Sequence, residues 1–301
     1  MTTPLEPAPT SLAHGRRLYL KREDKHELGV FKWRGALPSL ERFKTDGATT
    51  VVTASTGNHG AATAWAAARL GLEAVVFVPE QASATKLARI ADLGAEIRRA
   101  GADMDKAKEL GREEAERRGA PFFEDGAEPA QYEGYAAIGE ELLAQLDEPP
   151  AAVVVPVGNG ALLGGVGRAI LTRSPETLRI GVVAAEAPVM ADSFEARRPV
   201  PGERCATFAD GLAVRVAIPY AVEILGEVAS RMVRVSEREL ARAVVAFADA
   251  GIRVEGAAAA GLAALPQLPL LGGPVVLVVT GCNIDEELLA RARREPESFP
   301  A

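Results

Sequence analysis

TTVVTASTGNHGAATAWAAARLG, from Thr49 to Gly71, decides the fold class. Its opening is a short β-branched run, and its second half carries the longer pattern of a helix. One strand therefore ends, and one helix begins, within Thr53 to Gly60. The same alternation recurs along the chain. EAVVFVP (73–79) precedes SATKLARIADLG (83–94), and AAVVVPV (151–157) precedes GALLGGVGRAILTR (160–173). LRIGVVAAE (178–186) and PVVLVVTG (274–281) are further near-continuous apolar runs. Strands buried on both faces read this way, so the expected fold is α/β, with mainly parallel sheets flanked by helices. In such folds ligands bind at loops that follow strand C-termini.

Bulk properties narrow the function. The chain has 301 residues, 48% hydrophobic and 25% charged, which is enough for two domains with real cores. Its net charge of -7 and the lack of a basic block argue against nucleic acid as a partner. Two cysteines, Cys205 and Cys282, fit a reducing cytosol better than a disulfide scaffold. The N-terminus has no signal-peptide layout, and a cytoplasmic location is expected. The apolar region Ala257–Val279 is interrupted by Pro266, Pro269 and Pro274. It reads as a buried helix, a loop and a core strand, not a membrane span.

Several stretches carry chemistry. In Ser55–Gly60, Ser55, Thr56 and Asn58 supply hydroxyls and an amide, and Gly57 allows a tight turn. The following helix start offers N–H groups to an anion such as a carboxylate; plain N-capping by Thr56 or Asn58 is the alternative. In VPVGNGALLGG (155–165), Gly158 and Gly160 let backbone amides approach a phosphate. Gly158, Gly160 and Gly164, followed by Glu186, also allow a dinucleotide site and hence an NAD(P)-dependent dehydrogenase. Thr280 places one hydroxyl at a strand end, where it could meet a heteroaromatic nitrogen. Glu186 and Asp192 could share a hard cation, Mg²⁺ or Ca²⁺, with a backbone carbonyl. In ELGVFKWRGA (27–36), Lys32 lies among Val30, Phe31 and Trp33. Apolar company favours a neutral, nucleophilic amine that can form a Schiff base; a lysine snorkelling from a helix start is the alternative.

Taken in order, LKRED (20–24), FKWRGA (31–36), STGNHG (55–60), VPVGNGALLGG, ADGLAV (209–214), VEGAAAAGLAAL (254–265) and TGCNID (280–285) resemble one family. It is the serine/threonine dehydratase and serine racemase group of pyridoxal-phosphate enzymes, with the tryptophan synthase β-like fold, fold type II. The resemblance implies that Lys32 holds pyridoxal 5'-phosphate and moves the substrate α-proton. It implies that Phe31 lies near the cofactor ring and that Asn58 meets the ring hydroxyl. Ser55, Thr56, Gly57, Asn58 and His59 would cradle the substrate carboxylate. Gly158, Asn159, Gly160, Ala161 and Leu162 would form the phosphate loop, and Thr280 would face the pyridine nitrogen. Thr56 matches the position of the second acid–base residue in racemases. In the racemase-like branch, the metal ligands would be Glu186, Asp192 and the Met190 carbonyl.

Three departures stand out. Asn159 and Ala161 replace two of the four glycines usual in the phosphate loop. Val30 stands where the family has serine. Glu133 and Tyr135 are unusual in EDGAEPAQYEGYAAIGEEL (124–142), near the substrate side chain. The resemblance also implies two domains, a large cofactor-binding one (1–47 plus 130–301) and a small substrate-binding one (48–129). It implies a homodimer; the sequence stops soon after TGCNID, so the regulatory domain of allosteric threonine dehydratases is not expected. The expected reaction is loss of water and then ammonia from a β-hydroxy amino acid such as L-threonine or L-serine. The alternatives are racemisation, a 3-hydroxyaspartate or phenylserine substrate, and a non-catalytic ligand-binding role.

Overall fold

The computed structural model describes the whole chain except the side chains of Thr85 and Lys86. The chain divides into two compact units. Unit 1 comprises Met1–Phe31 and Tyr135–Ala301, and unit 2 comprises Lys32–Gly134. Unit 1 opens with strands β1 (Leu5–Pro7) and β2 (Leu18–Arg22). Unit 2 runs α1 (Trp33–Thr45), β3 (Thr50–Ala54), α2 (Asn58–Leu70), β4 (Glu73–Val78), α3 (Ala84–Asp92), β5 (Glu96–Arg99) and α4 (Met104–Arg118). The division falls inside α5 (Pro129–Gln145). Unit 1 then continues with β6 (Ala152–Pro156), α6 (Ala161–Arg173), β7 (Leu178–Ala184), α7 (Val189–Ala196) and α8 (Pro219–Val228). It ends with β8 (Arg231–Val235), α9 (Glu237–Asp249), α10 (Gly256–Ala264), β9 (Val275–Val279) and α11 (Glu286–Arg294).

The sheet of unit 1 has the order β1-β2-β9-β6-β7-β8, parallel except for the β1–β2 pair. β6 and β9 are fully buried, as their valine runs require of central parallel strands. In register, Leu277 of β9 lies beside Leu20 of β2 and Val154 of β6. Helix α10 is buried on every side, and its small residues let it lie close to the sheet. A Cβ built on Gly261 would already touch Leu277 at 3.4 Å. The expected helix, loop and core strand of 257–279 are therefore present. No helix among the described residues is long and apolar enough to cross a membrane.

Unit 2 is a parallel three-stranded sheet, β3-β4-β5, covered by helices. Its sequence begins at Lys32 rather than at 48. Packing between α1 and α2 explains this, because Trp33 meets Trp65 edge-on with ring centroids 6.2 Å apart.

Candidate active site

Unit 2 carries Lys32 and the Ser55–Gly60 turn. Lys32 is the N-cap of α1, and its carbonyl accepts the Ala36 N–H at 3.0 Å. Its side chain is only 15% exposed, and Nζ donates to Oδ2 of Asp125 at 2.5 Å. The apolar neighbours read in the sequence are thus not the whole environment of the amine. Trp33 is turned onto Trp65, Val30 bridges to Gly281, and a carboxylate faces Nζ.

Asp125 is held from one other side, by Gln131, and has His59 as a neighbour. Gln131 Nε2 donates to its Oδ1 at 3.2 Å, and Nδ1 of His59 lies 3.6 Å from the same oxygen. His59 is buried. Its Nε2 lies 3.1 Å from Thr53 Oγ1 and 3.2 Å from the Phe123 carbonyl. Because Thr53 gives its own proton to that carbonyl, both groups act as acceptors toward Nε2, which therefore carries the ring proton. Burial holds the His59 pKa below its ordinary 6.5, with Lys32 adding to the effect and Asp125 opposing it.

The turn before α2 is closed by Gly57, which has no side chain. Neither Thr56 nor Asn58 is the N-cap, so the simple capping alternative does not apply. The Gly57 N–H donates to Ser55 Oγ at 3.2 Å, which keeps Ser55 folded over the helix start. Gly60 is required here because a Cβ would come within 2.9 Å of the Ser55 carbonyl.

Unit 1 carries the other expected residues. β6 ends at Pro156, and the chain turns through Gly158-Asn159-Gly160 into α6. Gly160 is the N-cap at φ +95°, a left-handed conformation that glycine adopts without strain. Asn159 Oδ1 accepts the Ala161 N–H at 3.1 Å, which gives a role to one of the residues that departs from the glycine-rich pattern. At Gly158 a Cβ would lie 2.3 Å from the Gly211 carbonyl, so the ADGLAV stretch is a backbone wall against this loop. Thr280 follows β9. Its carbonyl accepts the Phe31 N–H at 2.9 Å, and its Oγ1 is buried without a hydrogen-bond partner. Phe31 packs on Tyr135 with centroids 5.1 Å apart.

Two residues that touch these groups went unassigned in the sequence. Asp125 sits in an acidic, proline-containing segment with nothing to single it out from Glu124 or Glu128. Glu255 lies within a quoted motif, and its carboxylate would come 2.9 Å from a Cβ on Gly281. The two acids expected as metal ligands each have an arginine nearby. Asp192 lies in the first turn of α7 and pairs with Arg234 at 2.7 Å, and Glu186 faces Arg204 at 3.8 Å. Met190 belongs to the same helical turn, not to an open loop. No group of three or more acidic, histidine or cysteine side chains suited to a metal occurs among the described residues.

Comparisons with known proteins bear on this constellation. L-threonine ammonia-lyase of Thermotoga maritima is 35% identical over 280 residues, 92% of this chain and 70% of that protein. The processed form of threonine deaminase isoform 2 from Solanum lycopersicum superposes with a TM-score of 0.92 at 28% identity, covering 99% of this chain and 89% of that one. A pyridoxal 5'-phosphate-dependent aspartate racemase gives 0.88 at 26% identity, covering 96% and 92%. The family model described as pyridoxal-phosphate dependent enzyme matches residues 1–281, and so takes in Lys32, both glycine turns and Thr280. This match across the chain favours pyridoxal phosphate over a dinucleotide, and the chain belongs to the pyridoxal-phosphate dependent enzymes.

Proposed function

We propose that this protein is an ammonia-lyase that removes water and then ammonia from a β-hydroxy amino acid, with L-threonine or L-serine as substrate. The observation that carries the reading is Thr280: a buried strand-end hydroxyl without a partner fits the pyridine nitrogen of pyridoxal phosphate. When bound, that cofactor draws electrons from the α-carbon of the amino acid joined to it. Unit 1 would serve as the cofactor-binding domain and unit 2 as the substrate-binding domain.

Lys32 Nζ would hold the cofactor and would take the substrate α-proton. The Ser55–His59 turn binds the substrate carboxylate through hydroxyl and amide donors at the start of α2. Gly158 to Leu162 bind the phosphate through backbone N–H groups and the dipole of α6. Phe31 and Asn58 orient the ring. Thr280 would meet the pyridine nitrogen with a neutral hydroxyl rather than an acid, and so would supply no formal charge there. Thr56 stands at the racemase position, so racemisation is the second reading. We expect a cytoplasmic homodimer.

The test combines spectroscopy, mass spectrometry and product analysis. The purified protein should absorb in the visible, and borohydride should fix the cofactor on the peptide containing Lys32. In a separate, unreduced sample, threonine or serine should yield a 2-oxo acid and ammonia in equal amounts. Label on another lysine would overturn the Lys32 assignment, and D-amino acid without 2-oxo acid would favour the racemase.

A further inference from the structure

We infer that Asp125 is the resting partner of the Lys32 amine, a positioning residue that competes with the cofactor for Nζ. The inference rests on Lys32 being the cofactor lysine. Its basis is local to unit 2. Nζ lies 2.5 Å from Oδ2 of Asp125, and both side chains are largely withdrawn from water, at 15% and 28% exposure. Such a contact is a charge-assisted hydrogen bond, stronger than a neutral one.

The carboxylate is aimed. Gln131, fully buried, donates through Nε2 to Oδ1 at 3.2 Å. The same Gln131 accepts the Gly126 N–H through Oε1 at 2.7 Å, which fixes its amide. Tyr132 donates to the Gly126 carbonyl at 2.8 Å, so the turn that carries Asp125 is pinned twice. Two further ionisable groups belong to this cluster: His59 from α2, whose Nδ1 lies 3.6 Å from Asp125 Oδ1, and Lys108 from α4, which acts on His59. His59 stays neutral because it is buried, and Lys108 is itself paired with Glu124 at 2.9 Å. The pinned carboxylate faces Lys32 through Oδ2.

Capture of the cofactor has a definite balance. The Lys32 ammonium gives one proton to solvent. The neutral nitrogen then bonds to the aldehyde carbon of pyridoxal phosphate, and the carbonyl oxygen leaves as water with the two remaining amine protons. The Asp125 contact must break before the first of these events. It therefore slows capture and keeps Nζ in one place until the cofactor arrives.

The test uses the full-length protein stripped of cofactor with hydroxylamine. Asp125→Asn should speed the appearance of the visible band on adding pyridoxal phosphate at pH 7, by about fivefold for a pair of this kind. Asp125→Glu should keep the wild-type rate. A second readout does not involve the cofactor: labelling of Lys32 by trace acetic anhydride, followed by mass spectrometry, should rise by a similar factor in Asp125→Asn. Equal or slower labelling and capture in Asp125→Asn would overturn the inference. Faster labelling with no cofactor band in any variant, wild type included, would uphold the contact and overturn the cofactor reading instead.

Discussion

Single residues show where function opposes stability. Thr280 buries a hydroxyl with no partner, which costs about 1–3 kcal/mol relative to a satisfied group. Thr280→Val keeps the shape and removes the orphan. The cofactor-free variant should therefore melt at or above the wild-type temperature, while added pyridoxal phosphate should raise its melting point less than it does for the wild type. A variant that melts lower without cofactor would show that the hydroxyl already has a structural partner. His59 makes an opposite case, because its pKa is lowered from 6.5 by burial. The unfolded chain then binds more protons than the folded one just below that value. The stability this residue contributes is complete above 6.5 and is lost as the pH falls toward the lower folded-state value. Urea unfolding from pH 7.5 down to 5 should show a slope that His59→Asn flattens; an unchanged slope would mean that other groups set it. Thr280 was legible from its place after an apolar run. Asp125 was not, because its significance lies in facing a lysine far away in sequence.

Elements were legible in proportion to how uniform their surroundings are. β3, β4, β6, β7 and β9 announce themselves as valine-rich runs because both faces are covered. β2, β5 and β8 were not identified, and each contains charge. Lys21 and Arg22 of β2 are buried but paired, so their burial does not show in hydropathy. β5 and β8 have partly exposed side chains and so need less apolar cover; Arg98 and Arg234 point to carboxylates instead. α1 falls in unit 2, whereas the expected boundary lay at 48; its packing against α2 cannot be read from α1 alone. Helix α5 supplies the test at this scale. A Cβ on Gly134 would lie 1.9 Å from the Arg34 carbonyl and 3.0 Å from Pro38 of α1. Gly134→Ala should gain about 1 kcal/mol in helix propensity. It should lose about 3 kcal/mol or more, since the clash is with backbone and α1 must shift. We expect net destabilisation of about 2 kcal/mol by chemical denaturation. A neutral or stabilised variant would mean that the two helices do not approach this closely.

At the scale of the molecule, unit 1 is assembled from two separate pieces of chain, and a polar network joins them. Lys21 of β2 has a side chain with no exposure, and its Nζ donates to Glu141 of α5 at 2.6 Å and to Gln145 at 3.0 Å. A third bond runs to the Thr3 carbonyl at 2.7 Å, and the Thr3 N–H donates to Glu141 at 3.2 Å. One lysine thus ties the N-terminal segment to a helix that begins only after unit 2 has been traversed. Hydropathy could not reveal this, because LKRED reads as a charged surface stretch until the partners are known. A buried pair contributes little net energy when intact, yet removing one member strands the other. Glu141 is 15% exposed and can turn toward water, whereas Lys21 cannot. The two deletions should therefore differ. Glu141→Ala should cost about 3 kcal/mol, at the lower end for such pairs because Gln145 and the Thr3 carbonyl remain. Lys21→Met removes the buried charge, fills most of its volume and leaves a carboxylate with a way out, so it should cost less. Urea unfolding of both variants, with the double variant closing the cycle, measures the coupling directly. If Lys21→Met proves the more damaging, the lysine stem is held by packing and its charge is incidental to joining the two pieces.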